Sequence, residues 1–122
     1  NGFINVSGDI YALGENEAGE PWKVGVRSPS DPDALIATAE VSDAAIATSG
    51  DYEQFFMYHG RRYHHIMDPH TAAPRATKIH TITIQADNCL TCDVASTALF
   101  GLDTAHAQRI LSARSSSSRV VA

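Results

Sequence analysis

Short runs of alternating apolar and polar residues dominate the first two thirds of the chain and predict β-strands. Trp22, Val24 and Val26 fall on one face of an extended segment, which is the two-residue period of a strand. Segment 33–47 is ambiguous, because its alanines favour a helix and its alternation favours a strand. We interpret it as two strands joined by a turn. The predicted strands are residues 3–6, 10–13, 22–26, 35–41, 44–47, 55–58, 61–65 and 77–84.

The apolar period changes near the C-terminus. Val94 and Ala98 recur at the i, i+4 spacing of a helix, which predicts one helix over residues 91–100. A second helix is predicted over residues 103–114, with Asp103 as its N-cap. Many strands followed by two helices are typical of an α+β fold, here a mostly antiparallel sheet with both C-terminal helices packed on one face.

Length and charge narrow the functional classes. The chain has 122 residues, which is enough for one domain with its own core, and its net charge is −5. That charge argues against an extended nucleic-acid-binding face, which needs clustered Lys and Arg. We therefore predict a single domain over residues 1–122, with 115–122 as a flexible tail because residues 115–118 are all serine. The chain begins at Asn1 without an initiator Met, so we expect a processed product or a fragment.

Residues 62–71 concentrate ionisable side chains on a stiff turn. They contain three of the six histidines and an Asp-Pro pair, and proline fixes the backbone there. A histidine near its free pKa can act as a general base at neutral pH, although a solvated hairpin end would have the same composition. Because neighbours on a strand point to opposite faces, His64 and His65 are not expected to bind one metal ion together.

Two turns of small residues each follow a predicted strand. Ser7-Gly8-Asp9 lets a backbone approach a ligand closely and offers a carboxylate. Thr48-Ser49-Gly50 offers small hydrogen-bond donors that suit a phosphate group. Ordinary turns between strands are the alternative for both.

Asp93, Ser96 and Thr97 share one face of the first predicted helix, at i, i+3 and i+4. A carboxylate and two hydroxyls are hard oxygen ligands, which suit Mg²⁺ better than Zn²⁺. The alternative is that the hydroxyls bond back to helix carbonyls and the carboxylate favours the helix N-terminus.

Cys89 and Cys92 form the one pair of cysteines in the chain. A single pair is half of a zinc ribbon at most. Structural thiols, a redox pair at a helix N-terminus and metal ligands remain the three interpretations.

In combination and in this order, these segments resemble the FAD:protein FMN transferases, the ApbE family. The resemblance extends over nearly the whole chain. It implies a T-fold-like part of the ApbE architecture and an enzyme that transfers FMN from FAD to a Thr or Ser of an acceptor protein, with release of AMP. Some relatives instead hydrolyse FAD to FMN and AMP. The segments that carry the resemblance are residues 5–14, 21–26, 47–53, 63–69 and 92–100.

The resemblance also implies roles for individual residues. His65 would be the catalytic base. The Mg²⁺ site would fall on Asp93, Ser96 and Thr97. FAD is the implied substrate, and the residues implied to bind it are Gly8, Asp9, Thr48, Ser49, Gly50, Ile66 and Thr71.

Partners and location follow from the same resemblance. The implied acceptor is a protein of a membrane redox complex, and the family is periplasmic or attached to the cell envelope. Family members are about twice as long or more, so we expect a C-terminal portion whose cleft is completed by self-association or a partner chain. The alternative function is a flavin-nucleotide binding or assembly domain without catalysis. The chain has His70 where the family has Arg or Lys, and Ala72 where the family has Gly.

Overall fold

The computed structural model describes all 122 residues as eleven strands and two helices. The strands are β1 (Gly2–Val6), β2 (Asp9–Leu13), β3 (Trp22–Arg27), β4 (Leu35–Val41), β5 (Ala44–Gly50), β6 (Phe55–Tyr58), β7 (Arg61–His64), β8 (Met67–Asp68), β9 (Ala73–Pro74), β10 (Thr81–Ala86) and β11 (Arg119–Val120). The helices are α1 (Cys89–Leu99) and α2 (Thr104–Ser112). The predicted α+β fold is confirmed.

The main sheet has five antiparallel strands in the order β1-β2-β5-β10-β11. Its centre is apolar and rich in β-branched residues, as a strand covered on both faces should be. In the register of the two central strands, Ile84 of β10 lies opposite Ala47 of β5. Smaller pairs flank the sheet: β3 with β4, β6 with β7, and β8 with β9.

Two different layers cover the two faces of the main sheet. Ala45 and Ala47 of β5 pack into a core shared with the helices, which includes Leu99 of α1 and Leu111 of α2. Ile46 lies between them on the opposite face and belongs to a second core, with the β3–β4 hairpin. Alternation along one strand therefore serves both layers, and both helices lie on one face, as predicted.

Both helices begin at side-chain caps. Asn88 Oδ1 accepts a hydrogen bond from the backbone N–H of Thr91 at 2.9 Å. Asp103 caps α2 by accepting from the N–H of His106 at 2.9 Å, which confirms the predicted cap. This N–H donates to the charged carboxylate and lowers the pKa of Asp103 from its ordinary value.

Predicted segment 33–47 does form two strands, but they do not pair with each other. β4 pairs with β3, and β5 pairs with β2 and β10. The strand predicted over residues 77–84 begins later, at Thr81. Its first residues form a turn instead, because Thr77 Oγ1 accepts from the N–H of Ile79 at 2.9 Å and donates to the carbonyl of Gly101 at 3.3 Å.

The final residues, predicted to be a flexible tail, are held against the domain. Val120 pairs with Ile84 at the edge of the main sheet, and its N–H donates to Gln108 Oε1 at 2.7 Å. Ser118 is buried, and its hydroxyl donates to Ser115 Oγ at 2.7 Å. The serine hydroxyls bond to one another and to neighbours, which composition alone does not indicate.

Neither helix could span a lipid bilayer, since α1 has 11 residues and α2 has 9.

Candidate functional site

A cavity of about 500 Å³ opens between the main sheet and the β3–β4 hairpin; we call it the main cavity. Its floor includes Ile46 and Thr48 of β5, and its opposite wall includes Val24 and Val26 of β3. The hairpin stands on the side of the sheet away from the helices, so the gap between these layers remains open. Seven residues predicted to form the site line it: Gly8, Thr48, Ser49, Gly50, His65, Asp93 and Thr97.

The two adjacent histidines at the end of β7 point in opposite directions. His65 is exposed and lines the main cavity. His64 is 8% exposed, and its Nε2 lies 3.2 Å from the carbonyl oxygen of Arg75. Its Nδ1 accepts a hydrogen bond from the N–H of Ile66 at 3.3 Å. His64, the last residue of β7, is therefore part of the fold, whereas His65, in the bend that follows, lies at the cavity.

The hydrogen bond of His65 identifies the tautomer that can act as a base. Its Nδ1 lies 3.3 Å from the carbonyl oxygen of Gln54. A carbonyl only accepts hydrogen bonds, so Nδ1 carries the proton when this bond is made. In the neutral ring Nε2 then has a free lone pair and can accept a proton from a substrate hydroxyl.

Three hydroxyls connect β5 to the helix α1. Ser49 Oγ lies 2.8 Å from Ser96 Oγ and 3.2 Å from Thr97 Oγ1. The hydroxyl of Ser96 also donates to the carbonyl of Asp93 at 3.1 Å, and the residue is 1% exposed. Ser96 thus bonds within the protein and does not line the main cavity, whereas Thr97 does.

The acidic side chains at the cavity end repel each other. Asp93 is exposed and lines the cavity. Asp9 is the first residue of β2, directly after the β1–β2 turn. Burial raises the pKa of Asp9, and the negative charge of Asp93 raises it further. Such a local excess of negative charge is an electrostatic environment that favours a bound cation.

The oxygen ligands at this end fit a hydrated magnesium ion better than a closed metal site. No three His, Cys, Asp or Glu side chains converge in a metal-binding group. The carboxylate of Asp93 and the hydroxyl of Thr97 are both hard oxygen donors on the cavity wall. Mg²⁺ characteristically keeps several waters and takes one or two protein carboxylates, together with substrate phosphates.

Three residues predicted to bind FAD do not line the main cavity. Ile66 is 6% exposed and packs in the helix-side core. Thr71 is exposed on the Asp-Pro turn, where its N–H donates to Asp68 Oδ1 at 3.3 Å. Asp9 lies outside the lining, although it is close enough to interact electrostatically with Asp93.

The Asp-Pro turn is organised by its own carboxylate. Asp68 Oδ1 accepts from the N–H of His70 at 2.8 Å, which is the main cause of the lowered pKa of Asp68. Ala72 has φ 51°, in the left-handed region that glycine tolerates best. The short strand β9 follows the turn, and Ala73 pairs with Asp68 across it.

Sequence inspection missed several cavity residues. Thr83 is fully buried, and its Oγ1 lies 2.8 Å from Thr48 Oγ1 on the paired strand. Its position between Ile82 and Ile84 could have indicated a buried hydroxyl, and a buried hydroxyl needs a hydrogen-bond partner. Arg27 lines the cavity from the end of β3, but only the three-dimensional placement of the hairpin brings it there.

Cys89 and Cys92 are both free thiols near the start of α1. Cys92 is fully buried, and burial is the main cause that raises its pKa to about 11. A thiol with a raised pKa is a weak nucleophile and a poor metal ligand. These properties support the interpretation of Cys92 as a structural thiol.

Comparison with known proteins gives consistent matches. The ApbE family model matches residues 1–121. A curated FAD:protein FMN transferase of Vibrio cholerae is 37% identical over 100 residues, which are 81% of this chain and 30% of that protein. One from Klebsiella pneumoniae is 35% identical over 101 residues, which are 82% of this chain and 30% of that protein. The chain thus spans about 30% of the length of these relatives.

Solved structures agree with the sequence matches. The crystal structure of the ApbE protein of Thermotoga maritima superimposes with a TM-score of 0.83 at 35% identity, over 98% of this chain and 38% of that one. The apo form of the flavinyl transferase ApbE of Pseudomonas stutzeri gives a TM-score of 0.68 at 29% identity, over 92% of this chain and 34% of that one.

Proposed function

The chain belongs to the ApbE family, and from this premise we propose that it carries the transfer chemistry of a Mg²⁺-dependent FAD:protein FMN transferase. In the proposed reaction, a Thr or Ser hydroxyl of an acceptor protein attacks the FMN phosphorus of FAD. A new phosphoester bond joins FMN to the acceptor, the pyrophosphate bond breaks, and AMP leaves. Hydrolysis of FAD to FMN and AMP is the same reaction with water as the acceptor.

One observation supports this proposal most strongly: the residues to which we assign the base, the hydroxyls and the acidic end line one cavity. Gly8, Ser49, His65 and Asp93 come from four separate parts of the chain, and all line the same space. Its volume of about 500 Å³ is in the range of ligand-binding cavities. These residues are far apart in the sequence, and only the fold brings them together.

His65 would remove the proton of the acceptor hydroxyl. Its Nδ1–H is oriented by the carbonyl of Gln54, which leaves Nε2 to accept that proton. Because the ring is exposed at the cavity wall, a chain entering from outside can bring its hydroxyl to it. A hydroxyl is a weak nucleophile until a base takes its proton, so this step raises the rate of transfer.

Asp93 and Thr97 are the residues that would hold Mg²⁺. When bound, the ion would supply positive charge against the pyrophosphate oxygens. Ser49 would help to orient Thr97, since their hydroxyl oxygens lie 3.2 Å apart. Ser96 is left out of the proposed metal site, because its hydroxyl already bonds to Ser49 and to the carbonyl of Asp93.

The proposed acceptor is a flavin-carrying protein of a membrane redox complex, and the proposed location is the periplasm or the cell envelope. These proposals rest on the family. The charge of −5 supports a protein partner rather than a nucleic acid, because it leaves no excess of positive charge for a phosphate backbone.

A flavin-nucleotide binding or assembly domain is the second candidate, and one observation favours it. Ile4 and Val6, on the same face of β1, are 69% and 65% exposed, which is typical of a surface that another chain or segment covers. Self-association or a partner would then complete the cleft.

One assay separates the two candidates. The protein is incubated with FAD, Mg²⁺ and an acceptor peptide that contains Thr, and AMP is followed by chromatography while flavin fluorescence reports binding. A transferase releases AMP in proportion to labelled peptide. Quenched flavin fluorescence without AMP would reject the transferase and support the binding domain, and neither signal would reject both.

A further inference from the structure

A second cavity, of about 200 Å³, lies behind the backbone that walls the main cavity. Gly50 and His65 line the main cavity, whereas their chain neighbours Asp51 and His64 line the second one. The two spaces therefore share the walls formed by the end of β5 and the end of β7. None of the predicted site residues lines the second cavity.

The second cavity is strongly basic. Arg61, Arg62 and Arg75 line it together with His64 and His80. They are three of the nine Lys and Arg residues in a chain whose net charge is −5. Like charges repel, so gathering three guanidinium groups around one small space has a cost that a bound anion would offset.

The carboxylate in this cavity does not neutralise the arginines. Asp51 is 4% exposed; its Oδ1 accepts from Arg62 Nη1 at 3.2 Å and its Oδ2 lies 2.8 Å from His80 Nδ1. Neither Arg61 nor Arg75 forms a salt bridge, although the charge of Arg75 acts on Asp68 and helps to lower its pKa. The residues that line the second cavity therefore carry an excess of positive charge.

Aromatic rings hold two of these guanidinium groups in place. The Cζ of Arg62 lies 4.4 Å from the centre of the Phe55 ring, and the Cζ of Arg61 lies 5.4 Å from the centre of the Tyr63 ring. Stacking fixes the plane of a guanidinium group and leaves its N–H edges available. The guanidinium of Arg75 makes one hydrogen bond, 3.4 Å from Nη1 to the carbonyl of Ala98, and its charge also acts on Asp68.

We propose that this second cavity binds a phosphate dianion, either free or as the phosphate of a small phosphomonoester. The excess of positive charge among the lining residues favours an anion, and a phosphate offers more acceptor oxygens to the arginines than a carboxylate does. Guanidinium forks also fit phosphate oxygens with paired hydrogen bonds. The site is separate from the proposed transfer site and does not depend on the proposed function.

The test is a calorimetric titration of the full chain with inorganic phosphate, without FAD or Mg²⁺. Phosphate should bind in a saturable manner, and Arg61→Gln and Arg75→Gln should each weaken binding about tenfold, the effect of losing one charge-assisted hydrogen bond. Arg114→Gln is the matched control, because Arg114 is exposed beyond α2 and lines neither cavity. A titration with glycerol 3-phosphate distinguishes the two ligands: tighter binding than inorganic phosphate indicates a phosphomonoester, and weaker binding indicates free phosphate.

Several results would overturn the proposal. They are the absence of saturable phosphate binding, equal binding by the cavity variants and the control, or acetate binding as tightly as phosphate. A second measurement needs no variant: phenylglyoxal modifies arginines, and mass spectrometry locates the modified residues. Phosphate should protect Arg61 and Arg75 but leave Arg114 reactive, and unprotected cavity arginines would reject the site even if the variants failed to fold.

Discussion

The hydroxyl of Ser49 lies 2.8 Å from the hydroxyl of Ser96, and this contact joins the end of β5 to α1. Ser49 lines the main cavity, whereas Ser96 is buried behind it. The pair therefore fixes the helix that bears Asp93 and Thr97 at a set distance from the sheet. The hydroxyl of Ser96 is already hydrogen-bonded, to Ser49 and to the carbonyl of Asp93, and for this reason we leave it out of the proposed metal site.

Replacing Ser96 with Ala should therefore affect stability and not metal binding. The change leaves Ser49 with Thr97 as its remaining partner, so we expect a loss of about 1 kcal/mol in the free energy of unfolding. Chemical denaturation measures this loss. The increase in melting temperature that Mg²⁺ causes should persist in the variant; if it disappears, Ser96 is a ligand of the metal.

Removing the charge of Asp93 should stabilise the metal-free protein. Its negative charge, after burial, is a cause of the raised pKa of Asp9. A carboxyl whose pKa is higher in the folded than in the unfolded state stabilises the fold at a pH below its unfolded-state pKa. This contribution is lost as the pH rises through the folded-state pKa. At neutral pH both carboxylates are charged, and their repulsion opposes folding. We expect Asp93→Asn to raise the free energy of unfolding by roughly 0.5 kcal/mol at pH 7, and by nothing near pH 3.

The same variant tests the proposed metal site. Mg²⁺ should raise the melting temperature of the unsubstituted protein but not that of Asp93→Asn, because a ligand stabilises only the state that binds it. Glu17→Gln is the matched control, since Glu17 is exposed in the loop before β3 and lies outside the cavity. An equal response to Mg²⁺ in all three proteins would refute Asp93 as a ligand.

A glycine at position 72 should stabilise the Asp-Pro turn. Ala72 has φ 51°, and its N–H donates to the carbonyl of Asp68 at 2.9 Å, so the turn holds an alanine in a left-handed conformation. We expect Ala72→Gly to increase the free energy of unfolding by about 0.5–1 kcal/mol, measured by urea denaturation. Ala73→Gly, in β9, should reduce stability instead. A loss of stability at both positions would mean that the turn is not strained.

Two properties of Cys92 should distinguish it from Cys89. Its pKa is raised to about 11 from 9.0, mainly by burial. The buried neutral thiol therefore stabilises the folded protein fully below pH 9, and this contribution to the free energy of unfolding is lost as the pH rises towards 11. We expect the fall in unfolding free energy over this range to be smaller in Cys92→Ala. In the native protein at pH 8, a thiol reagent should modify Cys89 well before Cys92, and comparable rates would show that Cys92 is accessible.

Local patterns were sufficient for the fold class and for much of the cavity. His64 and His65 do lie on opposite sides as predicted, although β7 ends at His64 and His65 lies in the bend after it. The helical period correctly placed Asp93 and Thr97 on one face. Residues 77–80 were misassigned because the hydroxyl of Thr77 takes the place of ladder hydrogen bonds. That competition depends on contacts that sequence does not show.

The remaining errors come from how distant elements meet. Ile66 was expected in the cleft, but the chain bends after His65 and buries Ile66 in the helix-side core. Thr83 and Arg27 line the cavity because the β3–β4 hairpin sits over the centre of the sheet. The placement of that hairpin is a long-range property, and no local period encodes it.

The most direct test of the central claim is to measure the FMN that becomes covalently attached to an acceptor, with and without the imidazole of His65. The protein, His65→Gln and His70→Gln are each incubated with FAD, Mg²⁺ and a Thr-containing acceptor peptide, and mass spectrometry measures the peptide. His70 is exposed outside the cavity and is the matched control. The account predicts FMN-labelled peptide with the unsubstituted protein and His70→Gln, and a loss of about 10²-fold or more with His65→Gln while FAD still binds. Undiminished labelling by His65→Gln would contradict it.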